Sequence, residues 1–165
     1  LYDRDEAKAA FRHAAAVAHE ADRMVSLTLS DSFCVERHRD DFLSLVSDEV
    51  DLLFGNEAEL KALYQTDSFD AAVDELRHHC PFAAITVGAK GSIIVDGDDV
   101  IEVPPVPVRK VIDTTGAGDL YAAGFLFGLT SGRPLAECGQ LGSIAAAEVI
   151  SHVGPRPLVE LRTLI

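Results

Sequence analysis

An α/β fold with a mostly parallel sheet is predicted by three observations. Short apolar, β-branched runs alternate with helical patterns over residues 3–87; each run ends in a polar or glycine-bearing turn; and after Gly91 the alternation gives way to a hairpin pattern around Asp96-Gly97. Strands separated by helices lie parallel with helices on their faces, whereas strands joined by a short turn lie antiparallel. The sheet is therefore expected to carry an antiparallel hairpin at one edge.

The Ala-rich segment Asp3 to Asp22 reads as a helix and feeds a short strand at Met24-Val25-Ser26-Leu27-Thr28-Leu29. Ser30-Asp31-Ser32 is loop chemistry, and Val35 to Ser47 reads as one helix. A strand at Val50 to Phe54 is broken by Gly55-Asn56, and Glu57 to Gln65 and Phe69 to His79 read as helices, the second stopped by Pro81. The apolar run Phe82 to Val87 is a strand ending at Gly88. Ser92-Ile93-Ile94-Val95 and Val100-Ile101-Glu102-Val103 flank Asp96-Gly97 as a hairpin. Pro104-Pro105-Val106-Pro107 is an extended connector, because proline fixes φ and removes amide donors. Two helices follow at about Gly118 to Thr130 and Pro134 to Ser151, and a last one after Pro157. No internal repeat, linker or low-complexity stretch divides the chain.

At 165 residues and 48% hydrophobic content, the chain can bury one good core. Its 14 Lys+Arg against 27 Asp+Glu, a net charge of -13, repel nucleic acid and anionic membranes. Any polyanionic ligand must be held locally, by backbone amides or a metal. Cys34, Cys80 and Cys138 are an odd, widely spaced set, which suggests ordinary thiols in a reducing compartment. No apolar run approaches the roughly 20 residues needed to span a bilayer, and a cytoplasmic protein is expected. The chain opens inside a helical pattern without an initiator Met, which predicts a piece of a longer protein. The six histidines are not spaced as a metal site: His13 and His19 fall on different helix faces, and His78-His79 ends a helix, where imidazolium suits the dipole.

Ligands of parallel α/β sheets collect beyond the carboxyl ends of the strands, and three polar turns lie there. In the first, Asn56 and Glu59 share one face of the first helical turn. They fit either a plain helix cap or a carboxylate holding Mg²⁺ through water, since that ion prefers hard oxygen ligands and keeps several waters. The second, Thr86-Val87-Gly88-Ala89-Lys90-Gly91, has two glycines spaced for a tight turn and a lysine able to reach phosphate. It lacks the Walker pattern, and fits a nucleotide-contacting loop or an ordinary strand-to-strand turn.

The third turn, Asp113-Thr114-Thr115-Gly116-Ala117-Gly118-Asp119, carries the strongest signal. Gly116 and Gly118 let the backbone bend and approach a ligand, and the helix starting there points unpaired N–H groups and its positive dipole end at an anion. Asp119 lies beside this cradle, where a base for phosphate transfer would sit. With Tyr121-Ala122-Ala123-Gly124-Phe125 after it, the segment resembles the C-terminal signature of the ribokinase-like, or PfkB, family of carbohydrate and nucleoside kinases. The other two turns match that family in order and spacing.

The resemblance covers residues 1–165 and corresponds to the C-terminal, ATP-binding and catalytic part of such a kinase; the N-terminal part, with the lid and most substrate contacts, lies outside it. It implies a ribokinase-like three-layer α/β/α architecture and ATP and Mg²⁺ as cofactors. By motif, Asp119 resembles the catalytic base, and Gly116, Ala117 and Gly118 the anion hole. Asn56 and Glu59 match the Asn-x-x-Glu motif near Mg²⁺ and phosphate, while Thr86, Gly88, Lys90 and Gly91 match the nucleotide loop. Ser143 falls where relatives approach the adenine, in a stretch that equally suits close helix packing. Asp113 and Thr115, with carbonyls near Val149, His152 and Gly154, lie where many relatives hold a monovalent cation such as K⁺. Leu120 to Leu129, Glu148 to Pro157 and Ser32 to His38 look most like the bacterial adenosine-kinase-like branch. The implied substrate is therefore adenosine or another nucleoside, with a sugar of the ribose or fructose type as the alternative and a non-catalytic nucleotide-binding relative as a third. Dimerisation in this family often uses the lid, which lies outside residues 1–165, so the resemblance leaves a homodimer open without implying one.

Overall fold

The computed structural model describes residues 2–165. Five strands form one sheet in the order β1-β2-β3-β4-β5: β1 (Ser26–Thr28), β2 (Leu52–Asn56), β3 (Phe82–Thr86), β4 (Ser92–Asp96) and β5 (Asp99–Val103). β1 and β2 are parallel, with Ser26 opposite Leu52 and Thr28 opposite Phe54. The links from β3 to β4 and from β4 to β5 are too short for a parallel crossover, so β4 runs against both neighbours. The sheet is mixed and mostly parallel, as the strand spacing predicts. By internal contacts the described residues form two compact units, residues 2–83 with 95–98 and residues 84–94 with 99–165.

In the first unit, α1 (Asp5–Glu20) precedes β1, and α2 (Ser32–Arg37) and α3 (Arg39–Asp48) lie between β1 and β2. α4 (Glu57–Tyr64) and α5 (Phe69–His79) follow β2. The core is built from Leu29, Val35, Val46, Leu52, Leu53, Leu60, Leu63 and Leu76, all buried. α5 has the predicted bounds: Ser68 caps it by accepting from the Ala71 N–H, and Arg77, His78 and His79 end it where cations suit the dipole.

The single helix expected over Val35 to Ser47 is instead two. His38, at φ -121° and ψ 31°, closes α2 and caps α3. Its Nε2 lies 2.7 Å from Asp3 Oδ1 and its ring packs edge-on against Tyr2, so contacts from the N-terminal segment hold the break. α2 also starts earlier than expected, because Asp31 accepts from the Phe33 N–H and makes Ser32 the first helical residue. Nor do Gly55 and Asn56 break β2. The strand runs through both, since the extended backbone of Asn56 serves as the last strand residue and the α4 N-cap at once.

In the second unit, a 3₁₀ turn at Gly88–Lys90 links β3 to β4, and α6 (Ala117–Thr130) packs on α7 (Leu135–Val149). These helices meet backbone to backbone: a β-carbon on Gly124 would lie 2.5 Å from the Leu141 carbonyl oxygen, and one on Gly142 would lie 2.7 Å from that of Tyr121. Tyr121 is buried and donates its hydroxyl to Ser92 Oγ at 2.7 Å. The helix expected after Pro157 is only a 3₁₀ turn at Leu161–Thr163, a stretch too short to offset the cost of helix nucleation.

Candidate active site

In the first unit, Asn56 and Glu59 face each other as a reciprocal capping box. Asn56 Oδ1 accepts from the Glu59 N–H at 3.0 Å, Glu59 Oε2 accepts from the Asn56 N–H at 3.0 Å, and Glu59 Oε1 accepts from Asn56 Nδ2 at 2.6 Å. Glu59 is 7% exposed, and burial pushes its pKa above the ordinary value against the hydrogen bonds from Asn56, with Asp31 adding a smaller push in the same direction. A β-carbon on Gly55 would lie 3.3 Å from Glu59 Oε2 and 3.2 Å from Leu29 Cδ1, so that strand residue forms the floor under the carboxylate. The cap and the oriented carboxylate are thus one arrangement.

In the second unit, Thr86 ends β3 and the chain turns through Gly88 and Lys90 to Gly91. The Val87 N–H donates to the Gly91 carbonyl and the Gly91 N–H to that of Gly88, closing a tight loop that leaves Gly88 and Lys90 exposed. Gly91 sits at φ +99°, and a β-carbon there would come 2.1 Å from the Val103 carbonyl oxygen. The residue is glycine for the turn itself, whatever the loop binds.

The Asp113 to Asp119 segment is in the same unit. Asp113 Oδ1 accepts from the Thr115 N–H at 2.9 Å and the Thr115 hydroxyl at 2.7 Å, and Oδ2 accepts from the Gly154 N–H at 3.0 Å. These bonds, the Thr115 hydroxyl first, lower its pKa to about 2. Gly116, at φ +82°, is the α6 N-cap. The Ala117 N–H donates to the Thr114 carbonyl and the Leu120 N–H to that of Gly116. Among the described residues, no backbone acceptor is found for the amides of Gly118 and Asp119. Gly118 opens onto free space, with nothing within 4 Å of a β-carbon built there, and Asp119 is exposed in the first helical turn. The turn thus offers two free amides and a helix N-terminus, groups able to bind an anion, beside an exposed carboxylate. Ser143 is half-buried on α7, next to the Gly142 that packs on Tyr121.

Within each unit, the structure brings together the residues each motif predicts: Asn56 with Glu59, the turn from Thr86 to Gly91, and Asp113 with Thr115, Gly154 and the Gly116 to Asp119 helix start. Sequence reasoning missed two contributors. Pro155 packs on Gly116, and Glu148 in the last turn of α7 accepts from the Leu158 N–H at 2.9 Å. The available signal for Glu148 was its place as an acid within the apolar run Ile144 to Ile150.

The profile of the pfkB family carbohydrate kinases matches residues 2–161. An uncharacterized sugar kinase of Archaeoglobus fulgidus is 40% identical over 101 residues, 61% of this chain and 40% of its own length. Among solved structures, the adenosine kinase from Sinorhizobium meliloti is 51% identical with a TM-score of 0.96, over 99% of this chain and 50% of that one. The probable sugar kinase from Rhizobium etli CFN 42 is 45% identical, with the same TM-score and the same coverage. The chain therefore spans half the length of these solved relatives and less of the archaeal one. No helix among the described residues is long and apolar enough to cross a membrane. With the family profile matching residues 2–161 and the fold shared over 99% of its length with two solved relatives, this chain belongs to the pfkB family of carbohydrate kinases.

Proposed function

We propose that the protein containing this chain transfers the γ-phosphate of ATP to a hydroxyl of a small substrate, adenosine or another nucleoside, with Asp119 as the base. The observation that carries the reading is the α6 start, where Asp119 stands exposed beside the free amides of Gly118 and Asp119. The 51% identity to an adenosine kinase supports the nucleoside. In this reading residues 1–165 are the C-terminal, ATP-binding and catalytic part of the kinase domain. The N-terminal part supplies the lid and most substrate contacts.

The substrate oxygen attacks the γ-phosphorus in line, ADP leaves, and Asp119 takes the hydroxyl proton. An ordinary carboxylate suffices, because phosphoryl transfer depends mainly on positioning and charge stabilisation. At the end of the Gly116-Ala117-Gly118 turn the free amides of Gly118 and Asp119 face charge on the transferred group, and each well-placed donor contributes a few kcal/mol. Thr86, Gly88, Lys90 and Gly91 hold the nucleotide, and Ser143 lies toward its adenine.

Asn56 and Glu59 fit a water-mediated Mg²⁺ site. Each Glu59 oxygen accepts one hydrogen bond from Asn56, and a carboxylate oxygen can accept a second. Mg²⁺ keeps most of its waters, so one oriented carboxylate can hold it through them. Mg²⁺ there would neutralise phosphate charge that the acidic chain cannot. Asp113 and Thr115 are the side chains toward a monovalent cation.

Asp119→Asn in the full-length protein is expected to lower turnover by orders of magnitude while ATP still binds in calorimetry; near-normal turnover would overturn the base assignment. A second reading, a sugar kinase, is favoured by the 45% identity to the Rhizobium etli protein. Transfer from ATP to adenosine, ribose and fructose, assayed side by side, separates the two. ATP binding with no transfer to any of them would indicate a non-catalytic relative.

A further inference from the structure

We propose that Glu148 is a positioning residue for phosphoryl transfer, holding the Gly116 to Gly118 turn in place through the segment 150–158 without touching a substrate. This rests on the reading of that turn as the phosphate site.

Glu148 stands against local preference. It lies in the last turn of α7, where the helix dipole disfavours an acid, and within an apolar run. Its side chain is only 9% exposed. A carboxylate is retained in such a place when its oxygens are hydrogen-bonded. Both are used on one loop: Oε1 accepts from the Leu158 N–H at 2.9 Å, and His152 Nε2 lies 3.3 Å from Oε2. The carboxylate therefore grips the loop near its start and at its end.

What the loop presents between these grips is the back of the anion turn. The Ile150 carbonyl accepts from the Ile112 N–H at 2.8 Å, the Gly154 N–H donates to Asp113 Oδ2 at 3.0 Å, and Pro155 packs on Gly116. Three consecutive contacts thus join residues 150–155 to residues 112–116. Gly116 sets the direction in which α6 starts, and so where the free amides and Asp119 point. Local choices that contradict their surroundings tend to mark functional positions, and Glu148 is one.

The test uses the full-length protein with Glu148→Ala and Glu148→Gln, since Gln can still accept from the Leu158 N–H. In hydrogen exchange, Glu148→Ala is expected to speed exchange over residues 113–118 about tenfold while leaving residues 86–91 unchanged, as for a local opening. Its kcat is expected to fall about tenfold to a hundredfold with a smaller change in KM for ATP, as for a misplaced reacting group. Glu148→Gln should restore most of both. Unchanged exchange over 113–118, or a rise spread equally over 86–91, would overturn the proposal. So would a loosened turn with unchanged kcat. Exchange decides whether Glu148 holds the turn and turnover of Asp119→Asn decides whether the turn serves phosphoryl transfer, so the two readings fail separately.

Discussion

A β-carbon on Gly116 would lie 2.8 Å from Cβ of Pro155, so these two residues, far apart in the chain, meet with no room for a side chain. The contact fixes the place where α6 begins, and Gly116 is required twice, by its φ of +82° and by its neighbour.

Gly116→Ala is accordingly expected to destabilise the protein by about 1–3 kcal/mol from backbone strain alone, with the clash added. Urea unfolding of the variant checks this. Gly118→Ala should behave in the opposite way. Gly118 is helical and opens onto free space, so alanine should stabilise by roughly 0.5–1 kcal/mol. Kinase turnover in the full-length protein should nevertheless fall, because the new methyl group stands where phosphate is proposed to lie. A Gly118→Ala variant that gains stability and keeps full turnover would move the phosphate elsewhere.

Tyr121→Phe is expected to cost about 1–3 kcal/mol, because it strands the buried Ser92 hydroxyl that now accepts from Tyr121. Adding Ser92→Ala should recover part of the loss. A double-mutant cycle in urea measures the coupling.

Asp3 sets a pH dependence. Hydrogen bonds from His38 first and then Arg37 lower its pKa to about 2 from an ordinary 3.8. A group lowered on folding adds stability above its unfolded pKa and loses it as pH falls toward the folded value. The difference in urea midpoint between wild type and Asp3→Asn should therefore shrink as pH falls from about 4 toward 2. A difference of undiminished size at about pH 2 would mean the carboxylate is not what holds the N-terminal segment.

Glu59→Gln in the full-length protein is expected to raise the Mg²⁺ concentration needed for half-maximal turnover, since one unit of negative charge leaves the proposed site. Mn²⁺ binding followed by electron paramagnetic resonance gives a readout independent of turnover. An unchanged metal titration would return Glu59 to the role of a helix cap alone.

Much of this architecture could be read along the chain. The bounds of α5 are legible at both ends, with Pro81 as the stop, while the Ser68 cap before it comes from the structure. The β4–β5 hairpin was marked by Asp96-Gly97, and Asn56 with Glu59 by capping-box spacing. What escaped was set by distant partners. The break at His38 depends on Asp3 and Tyr2, and nothing within Val35 to Ser47 announces it. The roles of Pro155 and Glu148 likewise depend on contacts that no local periodicity encodes. Motif spacing located the residues of the candidate site, whereas the supports behind them required the fold.

The junction at Asn56 has a further consequence for how this sequence can change. Strand and helix share that residue, so no spare position separates the sheet from the carboxylate at Glu59. One residue inserted between Asn56 and Glu59 would swing the carboxylate by about 100° around the helix axis and away from the groups that now orient it. Length variation between related proteins should therefore avoid this stretch and collect in outer turns such as Gln65 to Ser68, where the same insertion would leave Asn56 and Glu59 in register.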